Sequence, residues 1–257
     1  MSGTLLDIAG LTHRYENGHG GIEDISFSVP QGEYLVIAGP NGSGKTTLLR
    51  HLNGLLKSDR GRVSLNGRDI LKDLTRTRTI IGMVFQDADT QIVGETVFDE
   101  VAFGPENLRM DRPDIDRKVN RTLEEMDLMR FRDRHPSTLS GGEKRRLTIA
   151  GILVMDPEII LFDEPFANLD YPGARDLIES IARLNRTGKT IIMATHDVDL
   201  VFDHAHRILV LDGGRTAVQG VPSELAGDLG RYGIRPPCAC RRSAQPGPQD
   251  TARGHAI

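Results

Sequence analysis

The run Gly39-Pro40-Asn41-Gly42-Ser43-Gly44-Lys45-Thr46, with Thr47 behind it, fits the spacing G-x-x-x-x-G-K-[ST]. Glycines at these positions let backbone N–H groups curl around phosphate oxygens, and a helix opening at the lysine adds the positive end of its dipole. Lys45 would then reach the β- and γ-phosphates of a nucleoside triphosphate, and the Thr46 hydroxyl would ligate Mg²⁺. A second element, Ile159-Ile160-Leu161-Phe162-Asp163-Glu164, reads as a buried strand that delivers two acids at its carboxyl end. Asp163 suits the holding of Mg²⁺ through water, and Glu164 the polarising of a water that attacks the γ-phosphate in line. Taken singly such a strand end is ordinary; beside the phosphate loop it acquires a role. Third, Leu139-Ser140-Gly141-Gly142-Glu143 opens a helix with a serine cap and two glycines. One nucleotide is already held at 39–46, so this second phosphate-ready helix start suggests service to the nucleotide of a partner chain.

The elements that must position these groups can be read from pattern. Short β segments at Leu5–Ile8, Ile22–Val29 and Tyr34–Ala38, divided by turns at Glu16–Gly21 and at Pro30-Gln31-Gly32, predict an antiparallel β layer. From Gly39 the pattern changes to a glycine-rich turn, a helix over Gly44–Gly54, and strands at Arg62–Asn66 and Ile80–Phe85, the beginning of a nucleotide-binding α/β core. Between Asp87 and Asp156 strand signals vanish, and Val119, Leu123, Met126 and Leu128 recur at helical spacing, which predicts a helical subdomain over about 87–157. Strand candidates at Ile159–Phe162, Thr190–Thr195 and Arg207–Asp212, alternating with helical stretches such as Gly173–Arg186, return to a parallel βαβ core. The fold class expected is therefore α/β: a phosphate-loop core with an antiparallel β layer and an inserted helical subdomain, one composite domain over 1–234. From Arg235 the chain is rich in Pro, Gly, Ala, Arg and Gln, which predicts a flexible tail over 235–257.

Bulk properties narrow the function. With 38% hydrophobic and 26% charged residues in 257, the chain can build a core. A formal charge of −4 supplies no basic field to draw nucleic acid, so no nucleic-acid partner is expected. Its longest apolar runs fall far short of the roughly 20 residues that span a bilayer, and Met1–Ile8 lack the pattern of a secretory leader, so a cytoplasmic location is expected. The two cysteines, Cys238 and Cys240, form no disulfide framework and lack the four-ligand set of a closed metal site, and they receive no metal role.

Leu139–Gly142 resembles the signature sequence of ABC ATPases, which in that family closes over the neighbouring subunit's ATP, and the span Leu5–Glu224 follows the family's motif order. The resemblance implies that Tyr15 stacks on adenine, that Gln86 in Val84-Phe85-Gln86 is the glutamine-loop residue reaching Mg²⁺, and that His196 in Ala194-Thr195-His196-Asp197 is the switch histidine. Alone, these would be a surface tyrosine, a strand-end amide and a capping histidine. Ala167-Asn168-Leu169-Asp170 resembles the family's aspartate loop. ATP and Mg²⁺ are the implied cofactors, with Thr46, Gln86 and Asp163 around the metal, Glu164 and His196 catalytic, and Ser140, Gly141 and Gly142 serving the ATP of a second ABC ATPase chain, the same or paralogous. Glu143, Phe166 and Asn168 depart from the commonest family pattern without removing a catalytic group.

The stretch from Lys45 to Asp163 has no room for long coiled-coil arms, and one motif set is present, which leaves a transporter subunit as the default. The segments Gly82-Met83-Val84-Phe85-Gln86-Asp87-Ala88-Asp89-Thr90-Gln91-Ile92-Val93 and Thr96-Val97-Phe98-Asp99-Glu100-Val101-Ala102-Phe103-Gly104-Pro105-Glu106-Asn107-Leu108 are similar to those of energy-coupling-factor importer ATPases. That resemblance implies a peripheral place on the cytoplasmic face of the membrane, a membrane coupling protein, a small substrate-capture protein, and cobalt or nickel ions or a vitamin such as biotin as cargo. Asp87, Asp89, Glu95 and Asp99 are candidates to meet basic residues of the coupling protein. A soluble ABC ATPase for iron–sulfur assembly or cell division, with the same site and no transport pore, stays open as the alternative.

Overall fold

A computed structural model of the chain describes residues 4–16 and 20–237; the expectations for Cys238, Cys240 and the rest of 238–257 lie outside them. Two sheets are present among the described residues. In the first, β1 (Thr4–Arg14) lies between β2 (Gly21–Pro30) and β4 (Arg60–Leu65), with the short β5 (Arg68–Asp69) at the edge, all antiparallel. Ile22, Ile25, Phe27 and Val29 of β2 are buried, the alternation of a strand with one face on the core. Beyond Ile8, where the sequence predicts the strand to end, β1 runs on to Arg14. The register slips on both flanks around Gly10, whose φ of +60° a bulge accommodates.

The second sheet has the order β10-β9-β3-β8-β7-β6, comprising β10 (Arg215–Gly220), β9 (Arg207–Asp212), β3 (Tyr34–Ala38), β8 (Thr190–Thr195), β7 (Ile159–Asp163) and β6 (Ile81–Val84). All neighbours are parallel except β10 with β9. Two sequence expectations are corrected here. Tyr34–Ala38 is not part of the antiparallel layer but the central strand of the parallel sheet, since all five residues are buried and both faces are covered. Conversely, the strand expected at Arg62–Asn66 belongs to the antiparallel layer as β4, where Val63 pairs with Ile8. Along β3 the faces alternate: Leu35 and Ile37 join Leu48, Leu49 and Ile25 in one core, and Tyr34, Val36 and Ala38 join Val97, Val101 and Leu147 in the other.

Helix α1 (Lys45–Leu52) packs between the sheets, and α2 (Leu74–Ile80) and the single turn α3 (Ala88–Gln91) flank β6. Three helices follow, α4 (Val97–Asn107), α5 (Arg112–Glu125) and α6 (Gly141–Leu153), of which α4 packs on both others; α7 (Tyr171–Arg186) leads from β7 towards β8. Capping boxes start α4 (Thr96 with Asp99) and α6 (Ser140 with Glu143), and Asp170 caps α7 through the Gly173 N–H at 3.0 Å.

Candidate functional site

The register of the parallel sheet decides where chemistry collects. Ile37 and Asp163 both pair with Ala194, and Phe162 pairs with Val84, so β3, β7, β8 and β6 end side by side at their carboxyl ends. Ligands bind at such an edge. Past Ala38 the chain turns at Gly39, whose φ is +155° and where a Cβ would lie 2.3 Å from the Leu211 carbonyl oxygen. At Gly44, φ +100°, a Cβ would come within 2.9 Å of the Gly21 carbonyl. No side chain caps α1, in contrast to α4, α6 and α7, so its first N–H groups are left for an anion.

Lys45 is 6% exposed, and its Nζ donates to the carbonyls of Gly39 at 2.9 Å and Pro40 at 3.1 Å. The same ammonium lies 3.5 Å from Glu164 Oε1, a buried oxygen that makes no hydrogen bond. Glu164 Oε2 accepts from the His196 backbone N–H at 3.4 Å and sits 3.0 Å from His196 Nδ1. The Thr46 hydroxyl donates to Asp163 Oδ1 at 2.9 Å. Burial raises the pKa of Asp163; the Thr46 hydrogen bond opposes this, and the neighbouring Glu164 adds to it.

A cavity of about 380 Å³ joins Tyr15, Asn41, Gly42, Gly44, Lys45, Thr46, Thr47, Gln86, Glu164 and His196, together with Gly20 and Gly21, which sequence reasoning did not single out. Gly39, Pro40 and Ser43 stand behind that lining, with Ser43 Oγ buried and unpartnered, and Asp163 reaches it through Thr46. The Tyr15 hydroxyl is 3.1 Å from Thr47 Oγ1, and its ring meets that of His13 edge to face, which fixes the tyrosine at the rim. The donor set fits a nucleoside triphosphate with its divalent cation: a buried cation and uncapped N–H groups for phosphate, and hard oxygens at Thr46 and Asp163 for the metal.

Ser140, Gly141 and Gly142 do not line this cavity. They begin α6, where Glu143 Oε2 accepts from the Ser140 backbone N–H at 2.8 Å and from its hydroxyl at 2.9 Å; the first bond lowers the Glu143 pKa. A Cβ on either glycine would meet nothing within 4 Å, so both face outward. Buried Arg145, one turn on, donates to the carbonyls of Phe85 and Gln86. Nothing in the sequence marks that contact.

A second concavity, about 600 Å³, lies between α2 and the α4 and α6 helices, with Leu74, Val93, Phe103, Leu108 and Met155 on its walls. Val93 and Phe103 are 64% and 54% exposed. Of the four acids considered for docking nearby, three have local work. Asp87 accepts from the Asp89 N–H at 3.0 Å, Asp89 pairs with Lys144 at 2.6 Å, and Asp99 closes the Thr96 capping box. Among the described residues no helix is long and apolar enough to cross a membrane, and no three His, Cys, Asp or Glu side chains form a metal cluster.

A family profile described as "ABC transporter" matches residues 22–167. The energy-coupling factor transporter ATP-binding protein EcfA of Carboxydothermus hydrogenoformans is 43% identical over 221 residues, 86% of this chain and 82% of that protein. The cobalt import ATP-binding protein CbiO of Rhodobacter capsulatus is 41% identical over 239 residues, 91% of this chain and 85% of that one. The solved structure of cbiO1 from Clostridium perfringens, described as part of the ABC transporter complex cbiONQ, matches with a TM-score of 0.80 at 34% identity, over 88% of this chain and 91% of that one.

Proposed function

The chain belongs to the ABC transporter family and is an ATP hydrolase whose turnover is coupled to transport, and on that premise we propose that it drives an energy-coupling-factor importer with cobalt ion as cargo. One observation carries the site reading: the carboxyl ends of β3, β6, β7 and β8 bring Lys45, Gln86, Glu164 and His196 to one cavity at the uncapped start of α1. In this reading Tyr15 supports the adenine, the 39–46 loop and Lys45 hold the phosphates, and Thr46, Gln86 and Asp163 hold Mg²⁺, which would neutralise charge on the γ-phosphate. Glu164 orients the attacking water and takes its proton, and His196, joined to Glu164 at 3.0 Å, contacts the γ-phosphate. Ser140, Gly141 and Gly142 close over the ATP of a second cassette, a role that their open, outward-facing backbone supports.

The apolar groove of Val93, Phe103 and Leu108 is the seat for cytoplasmic helices of the membrane coupling protein, with Glu95 on the adjoining loop as the acid left to meet a basic residue. Cobalt is chosen because two of the compared proteins bear CbiO names, one of them for cobalt import; nickel ion and biotin are the competing cargoes. The test is to capture the tagged chain from gently solubilised membranes, identify the integral proteins that accompany it, and measure chain-dependent uptake of cobalt, nickel and biotin. A coupling protein with a small capture protein, and uptake of cobalt, is expected. A purely soluble set of partners would replace the importer with an assembly ATPase.

A further inference from the structure

Arg145 is 4% exposed, and its guanidinium donates to two successive carbonyls, Phe85 at 2.6 Å from Nη1 and Gln86 at 2.5 Å from Nη2. Burial lowers its pKa, with Asp87 the carboxylate whose charge opposes that effect. A buried guanidinium costs desolvation, and two carbonyls repay it only in part, so stability alone is a poor reason for this side chain. What the contact secures is geometry. Two charge-assisted bonds to neighbouring carbonyls fix the orientation of the peptide between Phe85 and Gln86, and Gln86 lines the nucleotide cavity. Arg145 stands five residues beyond Ser140, about 7.5 Å along the axis of the same helix, so a shift of the helix start is carried rigidly to the glutamine. The other fastening, Lys144 to Asp89, is at the surface, where solvent and salt screen it.

We infer that Arg145 is a positioning residue that sets Gln86 in the nucleotide site according to the placement of α6, so that contact at Ser140–Gly142 and the approach of Gln86 to its own site are one motion. This rests on the assignment of Gln86 to the nucleotide site given above. The test uses the full chain with MgATP and the variants R145M, R145K and Q86A, singly and combined. R145M, which keeps a long stem without donors, should lower kcat about tenfold while the ATP dissociation constant stays within about twofold, and should raise the Mg²⁺ concentration for half-maximal rate. R145K should recover part of the rate. In the Q86A background R145M should cost less than about twofold, because the partner through which it acts is gone.

Equal losses in both backgrounds, or a joint fall of kcat, ATP affinity and Tm, would mark Arg145 as structural and overturn the inference. If R145M does not fold, R145K in the same cycle decides by the same criterion. Absence of Lys45-dependent ATPase activity in the unsubstituted chain would instead sink the site reading, and the two failures are thereby distinct.

Discussion

Replacement of Glu164 by glutamine removes a charge at nearly constant volume, in a place where the local geometry is specified. The carboxylate faces Lys45 at 3.5 Å through an oxygen that makes no hydrogen bond, while its other oxygen lies against His196. An amide oxygen can keep the His196 N–H contact, and Lys45 retains the Gly39 and Pro40 carbonyls, so the loop should hold its shape. What the amide cannot do is take a proton from water. Loss of one preorganised catalytic contact costs about 10²–10³ in rate, or about 2.7–4 kcal/mol in barrier. Binding should be preserved or tighter, since a negative charge beside the phosphates is gone. Single-turnover phosphate release under saturating MgATP measures the first effect, and calorimetry with light scattering measures ATP affinity and ATP-driven dimerisation. Turnover by E164Q within about threefold of the unsubstituted chain would refute the assignment of the base.

Three further outcomes follow from the same geometry. K45A should weaken MgATP binding by about 10² or more, since it deletes the buried cation and leaves Glu164 uncompensated; near-normal affinity by calorimetry would remove Lys45 from phosphate binding. Because burial raises the Asp163 pKa, the folded chain holds that proton to higher pH than the unfolded chain, so without divalent cation stability falls as pH rises through and above the ordinary carboxylate range. D163N should abolish that slope and raise Tm at neutral pH, while losing Mg²⁺-dependent hydrolysis; a lower Tm with the pH slope intact would contradict this. Finally, F103D should cut recovery of the membrane component about tenfold by charging the groove wall, and undiminished recovery would move the docking site elsewhere.

Local spacing made much of the site legible. The 39–46 loop, Asp163 and Glu164 could be named because each sits at a strand end followed by a turn, where chemistry depends on residues close in sequence; His196 followed only from the family resemblance. Layer assignment was less legible. Tyr34–Ala38 reads as a short strand after two others, and only its burial on both faces shows that it belongs with strands more than a hundred residues later. The acids considered for docking carry local contacts that spacing does not reveal: Asp87 and Asp99 stand at turn and helix starts, where backbone N–H groups claim carboxylates, and Asp89 meets the Lys144 ammonium from a helix 55 residues on. Arg145 was invisible, since a basic residue one turn into a helix, flanked by Lys144 and Arg146, is ordinarily solvated, and its target lies 59 and 60 residues away.

The backbone at Glu164 explains how two consecutive acids can serve one cavity in two roles. Residues 163 and 164 of a continuing strand would project to opposite faces. Instead Glu164 donates its N–H to Ala194 at 2.9 Å, completing the ladder, and then turns at φ +45°, a left-handed conformation that costs a side-chain-bearing residue about 1–3 kcal/mol. That turn leaves Asp163 directed at the Thr46 hydroxyl and swings Glu164 towards Lys45 and His196. Strain at this position therefore separates the acid proposed to hold the metal from the acid proposed to orient the water. The separation depends on the last pair of β7 with β8, Asp163 with Ala194, so a substitution that disturbs β7 against β8 should impair hydrolysis even though it touches no substrate.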